Sequence, residues 1–361
     1  MGPASGTWDR RIAAWLIVCC VLVFAMVVLG GVTRLTRSGL SIVEWQPVVG
    51  ALPPITDSDW QELFQKYRLT PEYHKVNPGM TLEGFKGIFW LEYFHRLLGR
   101  LIGVAFVLPL LYFLWRRALA PPLTLKLGGI FLLGALQGAL GWFMVMSGLA
   151  DDPRVSHYRL TAHLTLAFAI YAALLWIALG LLDSASPPPA ATARLPRLRR
   201  LAWTVTGLVV AMVVTGGFVA GIRAGYAYNT FPLMNGYWLP PEILAIEPWY
   251  LNFFNNMATV QFDHRLFAWL LAVAVPWLWH EAGRAGLPAR TRLLTHLLLA
   301  ALAVQIALGI ATLLLVVPVA LAAAHQAGAL VVFTAALALN HALRVSEVRR
   351  PVRPRSAAGP G

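Results

Sequence analysis

Eight long apolar runs constrain this chain more than any other feature of its sequence. Crossing a bilayer takes about 20 apolar residues in a helix, and backbone polar groups in hydrocarbon must be paired within the chain, which favours helices. Of 361 residues, 58% are hydrophobic and only 12% are charged, with a mean hydropathy of +0.65. We therefore predict an all-α integral membrane protein with eight transmembrane helices. The predicted spans are 12–33, 88–114, 127–148, 159–182, 203–221, 260–280, 293–315 and 321–343.

The distribution of charge predicts the orientation of these helices. An even number of spans places both termini on one side, which then carries 17 of the 29 lysines and arginines but only four of the 16 acidic residues. That side nets +13 and the other side nets zero. Cationic loops stay in the cytoplasm, so we expect a multi-pass protein of the bacterial inner membrane with both termini cytoplasmic. The cations then face anionic membrane lipid, and no nucleic-acid partner is predicted.

The sequence contains an internal duplication of a four-helix unit. Four helices return the chain to the same face, so the two copies share one orientation as parallel repeats. The expected architecture is two tandem, pseudo-symmetric four-helix bundles with sites between facing helices. The matching segments are GGVTRLTRSGL at 30–40 with GGFVAGIRAGY at 216–226, LEYFHRL at 91–97 with VQFDHRL at 260–266, and LQGALGWF at 136–143 with VQIALGIA at 304–311.

A stretch rich in proline and alanine divides the two copies. It runs from Ser184 to Pro196 and is followed by arginines, as expected for a cytoplasmic linker. The predicted organisation is an N-terminal half at 1–183, a linker at 184–202, a C-terminal half at 203–343 and a basic cytoplasmic tail at 344–361.

Four histidines lie within the apolar helices, one pair in each copy. They are His95 and His163 in the first half, and His264 and His325 in the second. An ionisable group in the membrane is costly and usually functional. Two imidazoles per half are what the axial ligation of a haem iron requires. We therefore predict two bis-histidine haem sites near the outer ends of their helices.

Charged residues beside the histidines predict the rest of the site. Glu92 shares a helix face with His95, and the equivalent residue of the second half is Gln261. Glu92 can pair with Arg96 or Arg100, or it can exchange protons with a reacting group. Arginine binds carboxylates well, although interfacial anchoring explains any single arginine equally. The candidates for contacts with haem propionates are Arg34, Arg37, Arg96, Arg223 and Arg265.

The chain resembles the haem A synthase family from about residue 12 to 343. The resemblance implies an eight-helix protein that oxidises the C8 methyl of haem O to a formyl group, giving haem A for cytochrome c oxidase. The only cysteines, Cys19 and Cys20, lie in the first span, so the resemblance is to the proteobacterial and mitochondrial branch without cysteine pairs in the outer loops. The segments that carry it are GGVTRLTRSGLSIVEWQPVVGALPP, EGFKGIFWLEYFHRLLGRLIG, RLTAHLTLAF, AGYAYNTFPLMNG and DHRLFAW.

By matching motif, the resemblance assigns His95 and His163 to the substrate haem O. It assigns His264 and His325 to a haem b that is structural or transfers electrons. Glu92 becomes the catalytic acid/base or a stabilising group. The implied partners are haem O synthase and cytochrome c oxidase assembly factors.

Two other functions compete with this one. A di-haem b-type cytochrome that transfers electrons from quinol explains the four histidines but not Glu92 or the divergence of the copies. A haem or lipid transporter explains the duplication but not the histidine pairing. The electron donor, the source of the formyl oxygen (O2 or water) and homo-oligomer formation are left open by the sequence.

Overall fold

The structure is a computed structural model that describes residues 3–44, 49–149, 153–182 and 194–344. Eight helices in this part of the chain are long and apolar enough to cross a membrane, which confirms the predicted class. The long helices are α1 (Pro3–Leu35), α4 (Leu82–Trp115), α5 (Pro121–Gly148), α6 (His157–Leu182), α7 (Leu195–Gly221), α9 (Met257–Gly283), α10 (Ala289–Leu314) and α11 (Val319–Arg344). Three shorter helices lie between them: α2 (Asp57–Arg68), α3 (Pro71–Lys75) and α8 (Asn252–Asn255).

All eight long helices begin earlier than the sequence predicted, by two to nine residues, and α4 and α7 show why. Helix α4 begins at Leu82, where the Thr81 hydroxyl caps the Gly84 amide. Helix α7 begins at Leu195, and the proline in its first turn suits a helix start. Residues 195–202, predicted as linker, are therefore helical. Positions 184–193 of the predicted linker and 345–361 of the predicted basic tail lie outside the described residues, as does position 183 at the end of the predicted first half.

Four helices, α1, α6, α7 and α11, form the centre of the molecule. Within the first half α1 packs on α4 and α6, and α5 packs on α6; within the second half α7 packs on α9 and α11, and α10 packs on α11. The halves meet where α6 contacts α7 and α11, and where α1 contacts α11. Helix α5 contacts α4 less extensively than α10 contacts α9. The duplicated sequence thus folds with the same helix pairing in both halves, while their pseudo-symmetry remains a prediction.

Polar side chains and glycines join the two halves. The Gln326 amide donates to the Val27 carbonyl at 2.7 Å, and its side chain lies against Gly31. On the opposite side of the centre, Thr161 lies against Gly217. Small residues let helix backbones approach closely in a membrane, and polar side chains then bond across them. The duplicated glycines 31 and 217 are therefore where each half accepts a side chain of the other.

The two outer segments are built differently. Helices α2 and α3 form a cap over the start of α4, with a buried aromatic cluster of Trp60, Phe64, Tyr67, Phe85 and Phe89. The second outer segment is instead held by hydrogen bonds of buried asparagines at α8, and many of its aromatic residues are exposed. Aromatic residues of the first loop therefore form a folded core, whereas those of the second line the surface.

Candidate functional site: two pairs of membrane histidines

The four histidines lie where the duplication places them. His163 and His325 are each the seventh residue of their helices, α6 and α11, and His264 is the eighth residue of α9. His95 lies deeper in its helix, as residue 14 of α4, because α4 extends upward into the cap. Three of the four histidines therefore lie about two helical turns from the start of their helix.

The second pair has a geometry that fits a metal between two imidazoles. The ring centres of His264 and His325 are 6.4 Å apart, and their planes are inclined at 80°. Two nitrogen–metal bonds of about 2 Å each, with the distance from each nitrogen to its ring centre, account for a separation of this size. The Nδ1 atom of His264 lies 3.0 Å from the Thr215 hydroxyl. This contact orients the ring, as hydrogen bonds to the second nitrogen do for histidines that bind metals.

The first pair lies on α4 and α6. His95 and His163 are close enough to interact electrostatically. The Nδ1 atoms of both rings are buried with no hydrogen-bond partner among the described residues, and the same is true of Nδ1 in His325. Buried imidazole nitrogens without partners are costly, so these three rings each have a nitrogen available to a ligand such as a haem iron, whereas Nε2 of His163 lies 3.3 Å from the Gln137 amide nitrogen.

Matched glutamines fix the backbone at the second histidine of each pair. Gln137 donates to the His163 carbonyl at 3.1 Å, and Gln305 donates to the His325 carbonyl at 2.9 Å. Both glutamines come from the third long helix of their half. This repeated bond holds each histidine-bearing turn against its neighbour.

Every one of the four imidazoles rests on a glycine of a neighbouring helix. A Cβ atom built on each glycine would come within 2.8–3.1 Å of the ring Cε1, closer than packed carbon atoms can lie without displacement. Only the absence of a side chain therefore leaves room for the ring. The pairs are Gly30 with His95, Gly141 with His163, Gly216 with His264, and Gly309 with His325.

These four glycines, called here the glycine seats of the histidines, were not among the residues predicted from the sequence. Gly30 and Gly216 both lie inside their helices, before the ends at Leu35 and Gly221. The available signal was that these glycines recur at matched positions of the two halves. Gly30 and Gly216 begin GGV and GGF, and Gly141 and Gly309 lie in ALGW and ALGI. Helical periodicity shows which face a residue lies on, but it does not identify the ring on the opposite helix.

Glu92 is buried and binds five donors. One oxygen, Oε2, accepts from the Ser41 amide at 2.7 Å, the Ser41 hydroxyl at 2.7 Å and the Ile42 amide at 2.8 Å. The other, Oε1, accepts from Nη2 and Nε of Arg96 at 2.6 and 3.0 Å. Because every partner donates, the arrangement suits a carboxylate. Glu92 therefore ties the segment after α1 to the helix that carries His95.

Gln261 makes the matching contact, but it donates to the backbone of the outer segment where Glu92 accepts. Its amide donates to the Ala224 carbonyl at 2.8 Å, and its oxygen accepts from Arg265 at 3.0 Å. Both copies thus use this position to attach the outer segment to the histidine helix. The first half does so with a fixed negative charge and the second with a neutral group.

The five candidate arginines separate into two groups. Arg96 and Arg265 bind backbone carbonyls of the outer segments, for example Ile42 and Tyr228. Of the other three, Arg34 and Arg37 each interact electrostatically with Arg223.

Arg37 and Arg223 occupy matched positions, and both adopt left-handed backbone angles, with φ of 56° and 58°, which is uncommon outside glycine. Burial and the nearby Arg37 lower the pKa of Arg223. This cluster of like charges is therefore suited to an anionic ligand.

The cap contributes a residue that the sequence analysis did not select. Glu72 of α3 is buried, with only 4% of its surface exposed. Burial and then the Glu92 carboxylate raise the pKa of Glu72 to about 7, against the lowering effect of Arg37 and Arg223. The signal was weak in sequence, because Glu72 lies in a polar segment outside the apolar runs and has no counterpart in the duplicated motifs.

Comparisons with known proteins show the family of this chain. Residues 13–337 match the family model COX15-CtaA, described as a cytochrome oxidase assembly protein. Heme A synthase of Nitrosospira multiformis is 65% identical over 336 residues, which cover 93% of this chain and 94% of that protein. Heme A synthase COX15 of Arabidopsis thaliana is 46% identical over 352 residues, which cover 95% of this chain and 76% of that protein.

The glycine seats can be tested on the second pair. We expect Gly216→Ala and Gly309→Ala to displace the rings of His264 and His325 and to weaken haem binding by about 1–3 kcal/mol, as overpacking does. The measurement is bound haem per polypeptide after purification, by visible absorbance. Gly207 on the same helix as Gly216 has nothing within 4 Å of a built Cβ, so Gly207→Ala should keep its haem. Equal haem loss in all three variants would contradict the seat.

The raised pKa of Glu72 predicts a pH dependence. The folded chain keeps a proton on Glu72 that the unfolded chain has lost, so stability falls as pH rises from the ordinary glutamate range to about 7. At about 1.4 kcal/mol per pKa unit, the effect is about 3 kcal/mol at most. Melting temperatures of the purified protein at pH 5 and pH 8 measure it. Glu72→Gln should reduce the difference, and an undiminished difference would show that another group is responsible.

Proposed function

Because this chain belongs to the cytochrome oxidase assembly protein family, we propose that it is a haem A synthase, which oxidises the C8 methyl of haem O to a formyl group. The observation that carries the proposal is the pairing of four membrane histidines, each seated on a glycine at a matched position. The name shared by relatives that span most of this chain supports the reaction. The oxidation requires removal of electrons and protons and the supply of one oxygen atom.

The two pairs have different roles in this proposal. His95 and His163 bind the substrate haem O beneath the cap, and His264 and His325 hold a resident haem b. When bound, haem b supplies an iron that accepts and releases single electrons. The ring separation of 6.4 Å in the second pair supports a fixed site there. Among the described residues, the contact that attaches the outer segment to the histidine helix uses a buried carboxylate, Glu92, only in the first half. This difference supports placing the reaction in that half.

Glu92 acts as the charged group of the reaction site. Its position one helical turn before His95 places it on the same face as that ligand. Taking up a proton would disrupt bonds from Ser41 or Arg96, because all its partners are donors. Its contacts therefore favour a stabilising role, in which a preorganised carboxylate opposes positive charge that develops during oxidation, over that of a mobile proton carrier.

The arginine cluster receives the propionates. Arg34, Arg37 and Arg223 make no ion pair in the described residues, whereas Arg96 and Arg265 hold the outer segments. Guanidinium groups bind carboxylates in a fixed fork. A propionate among these three would relieve their mutual repulsion. The cluster lies beside Glu72, so the cap closes over this end of the substrate.

Cellular context follows from the same family. The chain works in the assembly of cytochrome oxidase, receiving haem O from a haem O synthase and passing haem A to oxidase assembly factors. The concentration of cations opposite the histidine end supports an inner-membrane protein with cytoplasmic termini and histidine sites near the outer face.

The reaction can be tested directly. The chain is expressed in cells that supply haem O, and extracted pigments are examined for a formyl haem by chromatography. We expect haem A from the wild-type chain and a decrease of about 100-fold or more with Glu92→Gln. Asp263→Asn, which neutralises a carboxylate beside a histidine of the second half, should leave the yield nearly unchanged. A wild-type chain that yields only haem B and haem O would contradict the synthase and favour a di-haem cytochrome.

The division between the pairs is tested in cells that lack haem O synthase. Only haem b is then available, and we expect His264→Ala and His325→Ala to abolish the bis-histidine absorbance of the purified chain. His95→Ala and His163→Ala should retain it. Loss of the spectrum in the first-half variants alone would reverse the assignment.

A further inference from the structure

A basic pocket lies at the membrane face opposite the histidine sites. It has a volume of about 200 Å³ and is formed where α9 ends and α10 begins. The Trp279 indole donates to His296 Nδ1 at 2.8 Å and so joins the two helices across the pocket. The polar and aromatic lining consists of Trp279, His280, Arg284, Arg292, Thr295 and His296.

The lining has positive charge without a matching negative one. Both arginines are exposed, and neither forms an ion pair among the described residues. No acidic side chain lines the pocket. Because His296 Nδ1 accepts from the indole, the neutral ring carries its proton on Nε2, which can donate to a ligand. The pocket thus presents several donors and two fixed cations to one small volume.

The aligned positions of the first half do not carry the residues that line this pocket. Aligned on the shared histidine and glutamine motifs, Arg284 corresponds to Trp115, and Arg292 to Thr124. His280 and His296 correspond to leucine and glycine. The pocket is therefore not a by-product of the duplicated haem-binding fold.

We propose that this pocket binds the phosphate headgroup of an anionic phospholipid. Basic pockets between transmembrane helices on the cytoplasmic side are suited to such headgroups. Leu293 and Leu297, half-exposed on α10 next to the pocket residues, offer an apolar surface for acyl chains. Trp279 lies at the helix end, where indole favours the membrane interface. The combination of cations, indole and adjoining apolar surface favours a lipid over a free anion.

The test uses the full-length chain purified in detergent. Native mass spectrometry measures the binding of phosphatidylglycerol and of phosphatidylcholine with the same acyl chains. Phosphatidylglycerol should bind more tightly. The double variant Arg284→Gln with Arg292→Gln should weaken its binding about thirtyfold, since each cation near an anionic lipid contributes about fivefold. Arg284→Lys with Arg292→Lys keeps the charge and should stay within about fivefold of the parent.

A matched control removes the same charge from the other half. Arg116→Gln with Lys126→Gln alters the corresponding connection between α4 and α5 and should change binding by no more than about twofold. Equal weakening in both double glutamine variants would overturn the proposal in favour of diffuse surface charge. Displacement of the lipid by millimolar inorganic phosphate would overturn it in favour of a free-anion site, and equal binding of phosphatidylcholine would exclude headgroup recognition.

Discussion

Close approach of helices at paired glycines is the constraint on which the rest of this structure depends. In α1, Gly30 seats His95 of its own half, while the next residue, Gly31, accepts Gln326 of the other half. In α7, Gly216 seats His264, and Gly217 accepts Thr161. Each pair of glycines therefore provides space for a histidine ring and for an inter-half contact within one turn. A side chain at either position would push apart helices that the other position needs close together.

The sequence predicted the features that depend on composition and periodicity. Eight apolar runs predicted the membrane helices, and the duplicated motifs placed each histidine within its own helix. The helix starts at Leu82 and Leu195 were missed because α4 and α7 continue beyond their most apolar stretch. The glycine seats were missed because they depend on which helix lies opposite, and one sequence contains no such information.

The contacts of Glu92 also exceed what sequence alone could give. Its proximity to His95 and its replacement by Gln261 were evident from the duplication, but its partners were not. Ser41 and Ile42 lie far along the chain, and they meet Glu92 only because the segment after α1 folds back over α4. Both copies attach the outer segment to the histidine helix at this position. The side chain accepts from that segment in the first half and donates to it in the second. Divergence at this position thus changed the charge beside one histidine pair while preserving the attachment of the loop.

The looser contact between α4 and α5 distinguishes the halves in a further way. Both helices expose large apolar side chains, among them Leu101, Leu108, Leu136 and Phe143, while the cap of α2 and α3 covers the start of α4. Under the proposed function, a long-tailed haem would exchange with the bilayer through this looser pair of helices. The tighter α9–α10 pair leaves the second site less of such an entrance. The proposed division of roles, with an exchanging haem in the first half and a retained haem in the second, thus has a counterpart in how closely the two helix pairs pack.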